Sequence, residues 1–136
     1  AFQRQGVTGF QLRPAIVEAA RTRKPDSSVN VPRYQELVVT GRGGDADPRS
    51  GIRLIYTCQS CVLRTYSSYE NGLLVNESNW DGSDIFTLNG YRRHILVTPK
   101  VKDIIIENRF TNCFLIEVEK LRWPGSVMRP ESLHRR

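Results

Sequence analysis

HILVTPKVKDIIIENRF, residues 94–110, decides the fold class of this chain. A short apolar run ends at Thr98, a residue suited to cap a helix, and Pro99 follows at the first helical position, where a missing N–H costs nothing. Val101, Ile104, Ile105 and the Ile106/Phe110 pair recur at three- and four-residue spacing, with Lys102, Asp103, Glu107 and Asn108 on the other face. The pattern predicts a strand over 94–98 and a helix running from it towards Phe110. Thr111-Asn112 ends the helix, and Cys113–Val118 reads as a returning strand, its acids alternating with Ile116 and Val118. Either a parallel crossover or an antiparallel return would join the two strands.

Further upstream the periodicity is that of strands. Phe10–Val17 alternates apolar and polar, with Pro14 restricting it to an edge or a bulge, and Tyr34–Thr40 is a second strand. Gly41–Gly51 reads as a turn-rich loop. Ile52–Thr57 and Leu63–Ser67 flank Cys58-Gln-Ser-Cys61, and Trp80–Phe86 combines a turn with a further short strand. Gly6 is placed to take the left-handed conformation at a helix exit. The expectation is an α+β fold: a mostly antiparallel sheet, a zinc-ribbon-like hairpin built on the CxxC, and one main C-terminal helix.

At 136 residues the chain has the size of one ordinary domain, which we place at residues 1–123, followed by a basic tail at 124–136. Its apolar runs are too short to span a bilayer, no signal-peptide pattern opens it, and two of its three cysteines are closely spaced; these point to a cytoplasmic protein without membrane association. The net charge of +6 sits in the flanks: +4 in residues 1–33, +3 in 121–136 and −1 in 34–120. A nucleic-acid reader gathers basic side chains on one folded element, so this distribution argues against that class without removing it.

CxxC supplies two ligands of a tetrahedral zinc site. Cys58 and Cys61 are therefore candidate metal ligands of an incomplete site, with His94 and Cys113 the internal candidates to finish it. The competing reading makes Cys113 a buried apolar residue and His94 a strand-face or surface one. A thioredoxin-like role is disfavoured, because Val62–Tyr66 reads as a strand and not as the helix whose dipole would activate a thiol. No G-x-S-x-G, HExxH or P-loop is present, and the reading is non-enzymatic. Asp81 and Asp84 are expected to hydrogen-bond nearby backbone N–H groups in a turn, and Trp80 is either a core anchor or a partner contact.

The order of these elements resembles the bacterial double-CXXCG proteins, a paralogous set of myxobacteria that includes immunity proteins of toxin-immunity (swarming-inhibition) systems. Ala1–Phe10 is similar to the family's helix exit, Tyr34–Val38 to its central strand, Cys58–Cys61 to the second of its two knuckles, and Asp84–Phe86 with Ile95–Phe110 to its closing Asp-x-Phe, strand and helix. Val62 stands in place of the knuckle glycine, and no first knuckle is present; the resemblance implies that this N-terminal portion, with two further zinc-binding cysteines, lies upstream of Ala1. The function implied is neutralisation of a cognate toxin by a protein–protein contact. Glu70, Glu77, Trp80, Asp81 and Asp84 are its candidate contacts, on the argument that toxins acting on nucleic acid present basic clefts. The alternative is a zinc-ribbon-like nucleic-acid binder using Arg64, Arg92 and Arg93, whose affinity would fall steeply with salt.

Overall fold

In a computed structural model the chain is described over residues 1–15, 33–60, 64–91 and 93–124. Among the described residues seven short strands and one α-helix make an α+β fold: β1 (Phe10–Pro14), β2 (Gln35–Val39), β3 (Gly41–Arg42), β4 (Leu54–Thr57), β5 (Arg64–Tyr66), β6 (Ile85–Thr87), β7 (Leu96–Val97) and α1 (Pro99–Glu107). They form three small sheets in place of the single expected one. β1 pairs antiparallel with β2, β4 pairs antiparallel with β5, and β6 sits between a parallel β3 and an antiparallel β7. Pro14 closes the end of β1 opposite Gln35, an edge position that tolerates the lost N–H.

β6 explains how such small sheets are held together. Successive strand residues point to opposite faces, so Ile85 enters one core and Phe86 the other. Ile85 packs with Val7, Val101 and Ile104, and against Phe10, Leu37 and Val39 of the β1–β2 ribbon. Phe86 packs with Tyr69, Leu73, Leu88, Tyr91 and Leu96. Gly9 and Gly41 lie against the back of this strand, where a Cβ on either would collide with the Ile85 carbonyl and with Ser83. Close approach, and not turn formation, is what Gly41 supplies; this corrects the loop reading of its neighbourhood, since Gly41–Arg42 is β3.

α1 begins and ends close to expectation. Thr98 is the N-cap residue and Pro99 the first helical one, but the Thr98 hydroxyl donates to Asp84 Oδ1 at 3.0 Å and makes no cap bond. Val101 and Ile104 are buried, whereas Ile106 is exposed, so the apolar face is narrower than the spacing suggested. Phe110, beyond the helix, packs edge-on against Phe2 with centroids 5.5 Å apart.

Two expected strands differ. The one over 94–98 shrinks to Leu96–Val97 because a turn, closed by the His94 N–H donating to the Tyr91 carbonyl at 2.9 Å, occupies its start. The one over 113–118 does not form: residues 113–117 belong to no sheet of the described residues, and Val118–Lys120 is a 3-10 turn. Strand propensity needs an edge to pair with, and none of the described strands pairs with this segment. Cys113 is accordingly exposed, which corrects its reading as a buried apolar residue. The tail from residue 125 onward lies outside the described residues, and among those described no helix is long and apolar enough to cross a membrane.

Candidate functional site

Four of the five candidate contact residues separate into two roles. Asp81 and Asp84 act inward, on the fold. The Asp81 carboxylate accepts from the Ser83 N–H at 3.0 Å, from the Ser83 hydroxyl and from the Arg42 N–H at 2.8 Å, so it ties the 81–83 turn to β3. The Ser83 hydroxyl is the leading cause, with backbone N–H bonds adding, of a carboxyl held below the ordinary carboxylate range.

Asp84 reaches further. Its Oδ2 accepts from the Thr8 N–H at 3.0 Å, the Thr8 hydroxyl at 3.3 Å and Lys100 Nζ at 3.1 Å, while Oδ1 takes the Thr98 hydroxyl. The N-terminal segment, β6 and the start of α1 therefore meet on one carboxylate. Partial burial pushes this carboxyl up, but the bonds from Thr8, Lys100 and Thr98 together outweigh it and leave it below its ordinary value. The expectation that these acids bond nearby backbone N–H groups holds for Asp81, through Ser83; Asp84 instead takes the N–H of Thr8, remote in sequence.

Glu77 and Trp80 act outward. A 3-10 turn, Glu77–Asn79, is started by the Asn76 side chain accepting from the Ser78 N–H at 3.2 Å. It presents Glu77 to solvent and leads into Trp80, whose indole Nε1–H donates to the Ser83 carbonyl at 3.1 Å and whose ring tilts against Phe86 at 5.4 Å. Trp80 is thus half-buried, anchored on its inner side to the core.

Its outer side forms one wall of a cleft of about 440 Å³, completed by Leu74, Val75, Phe86, Val97 and Val118, with Arg49, Glu77 and Glu119 among the polar residues lining it. This is the candidate site. Of the five predicted contacts the cleft gathers Glu77 and Trp80; Asp81 instead lines a shallow polar depression with Thr8 and Gly41, and Glu70 is exposed elsewhere, accepting from the Ser68 hydroxyl at 3.1 Å. Arg49, Val118 and Glu119 were not foreseen. The cleft draws on five stretches remote in sequence, and no local pattern marks them.

The Arg49 guanidinium is held in a fork by Asp47, with Nε on Oδ1 at 3.0 Å and a terminal nitrogen on Oδ2 at 2.9 Å. That bond is the main reason the Asp47 carboxyl lies below its ordinary range. Glu77 and Glu119 have no salt bridge or side-chain hydrogen bond among the described residues.

The CxxC pair, Cys58 and Cys61, falls between β4 and β5. β4 and β5 do pair antiparallel on either side of it, with a bulge between Leu54 and Tyr56, but Cys61 lies outside the described residues. Among the described residues no three His, Cys, Asp or Glu side chains gather as a metal site, so Cys58, His94 and Cys113 do not converge. His94 is packed edge-on between Tyr69 at 5.7 Å and Trp123 at 5.5 Å, and burial pushes its imidazole pKa down. Arg64 and Arg93 are exposed, and Arg92 lies outside the described residues.

Comparison with family models, with curated proteins and with solved structures finds no match to this chain.

Proposed function

We propose that this chain is a non-enzymatic protein-binding module that neutralises a cognate bacterial toxin by covering its working surface. One observation carries the binding part of this reading: Phe114, Leu115 and Ile116 are all exposed, Phe114 to 86 %, and the backbone groups of these three residues make no hydrogen bond among the described residues. Contiguous exposed apolar side chains beside N–H and C=O groups that no other backbone pairs with form a template ready to be covered by another chain. Ile106 and Phe110, on and just after α1, add exposed apolar surface. The toxin as partner follows from the double-CXXCG resemblance.

The test is co-expression with the product of the adjacent reading frame, since an antidote must be inherited with its toxin. Survival of the host and recovery of a one-to-one complex support the reading, and Phe114→Glu is expected to abolish both. No protection by the parent chain, or full protection by Phe114→Glu, overturns it. Charge reversal at Asp81 or Asp84 is unsuited to the purpose, because both carboxylates hold the fold.

A further inference from the structure

The cleft beside Trp80 combines apolar walls with a rim whose charge is unbalanced. Among the described residues its one lining cation, Arg49, is already engaged by Asp47 and also feels Glu77, so Glu77 and Glu119 leave this rim with negative charge in excess. A volume of about 440 Å³ suits a large side chain with part of its neighbours, and lies within the range of specific binding clefts, roughly 300–1,000 Å³. Lys and Arg are the residues whose apolar stems can lie along such walls while the charged end reaches an exposed carboxylate.

We propose that this cleft seats a large apolar side chain of a partner protein that carries Lys or Arg next to it in its chain. The apolar anchor fills the space between Trp80, Val75 and Val118, and the flanking cation meets Glu77 or Glu119. This deepens the protein-binding reading and rests on it, while naming a different surface from the Phe114 segment and the chemistry that the surface accepts.

The probe is a library of random peptides displayed on phage and selected on the intact 136-residue chain, with the winning sequences then synthesised. The expected winners share an aromatic or large aliphatic residue flanked by Lys or Arg, and shift the methyl resonances of Leu74, Val75 and Val118. They should bind the double variant Glu77→Lys/Glu119→Lys at least about tenfold more weakly, as expected where like charges are brought together across a contact. Both glutamates are exposed and unbonded, so the variant should keep the parental unfolding temperature. Selection that yields no binder, winners without basic residues, shifts confined to another surface, or equal affinity for the double variant would each overturn the proposal. The measurement needs no toxin, so its outcome is separate from that of the co-expression assay, which reads the Phe114 segment.

Discussion

Replacing Asp84 by Ala tests whether one carboxylate joins the N-terminal segment, β6 and α1. The Thr98 hydroxyl bond lies in a part-buried setting, while the Thr8 and Lys100 bonds are nearer solvent, where water can take over some of their role. The Asp84 side chain is itself only 14 % exposed. Hydrogen bonds to charged groups contribute about 1.5–3 kcal/mol each, and exposed ion pairs about 0–1 kcal/mol, so discounting the three outer bonds gives a loss of about 3 kcal/mol. Unfolding entropy of about 2.1 cal/mol/K per residue converts this into a fall in Tm of about 10 °C for a chain of 136 residues. Lys100→Met, which removes only the half-exposed partner, should lower Tm by less than about 3 °C. Thermal unfolding followed by circular dichroism at neutral pH reads both. The sign with pH is fixed by the lowered carboxyl: the stabilisation is fully present above the unfolded-state value of about 4 and is lost as pH falls through the lower folded one. Asp84→Ala should therefore differ most from the parent near neutrality and converge with it in acid. A Tm within about 3 °C of the parent at neutral pH would refute the three-way junction.

Two other expectations can be checked on the same material. Burial lowers the His94 pKa, so protonation favours the unfolded chain, and stability should fall as pH drops below the unfolded-state value of about 6.5; His94→Phe keeps a ring between Tyr69 and Trp123 and should flatten Tm between pH 7 and 5, and an unchanged slope in the variant would contradict this. Zinc content measured after purification should be well below one equivalent for this chain alone, because Cys58, His94 and Cys113 do not gather among the described residues; a stoichiometric metal that disappears on Cys113→Ser or His94→Ala would instead place the site inside the chain.

Where a local pattern was sufficient, the sequence disclosed the element. Pro99 after Thr98 and the 101/104 spacing located α1, Pro14 marked an edge, and Gly6 took the left-handed conformation with φ 60°. What failed was anything that depended on a partner elsewhere in the chain. Cys113–Val118 carries strand composition, but composition does not reveal whether an edge is available. Gly41 looked like a turn glycine, and only the Ser83 and Ile85 atoms packed behind it show that the missing Cβ matters. The cleft was half legible: Trp80 and Glu77 were singled out, but for a rim position that depends on Arg49, Val118 and Glu119 arriving from remote segments.

The division of labour among the acids follows from where hydrogen-bond donors are found. Asp81 and Asp84 stand on either side of Ser83, within reach of the backbone N–H groups of Arg42, Ser83 and Thr8, and a short carboxylate there is committed to them. Glu77 and Glu119 sit in the first turns of 3-10 segments on the surface, with longer side chains and no donor that claims them. Their charge is therefore available to a second molecule at no cost to the fold. The same separation applies to the apolar residues: Ile85 and Phe86 are consumed by the two cores, whereas Phe114–Ile116 are spared because no strand edge takes them. Groups left over by folding, one charged and beside a cleft, the other apolar and outside the described sheets, are the ones this surface can offer to a partner.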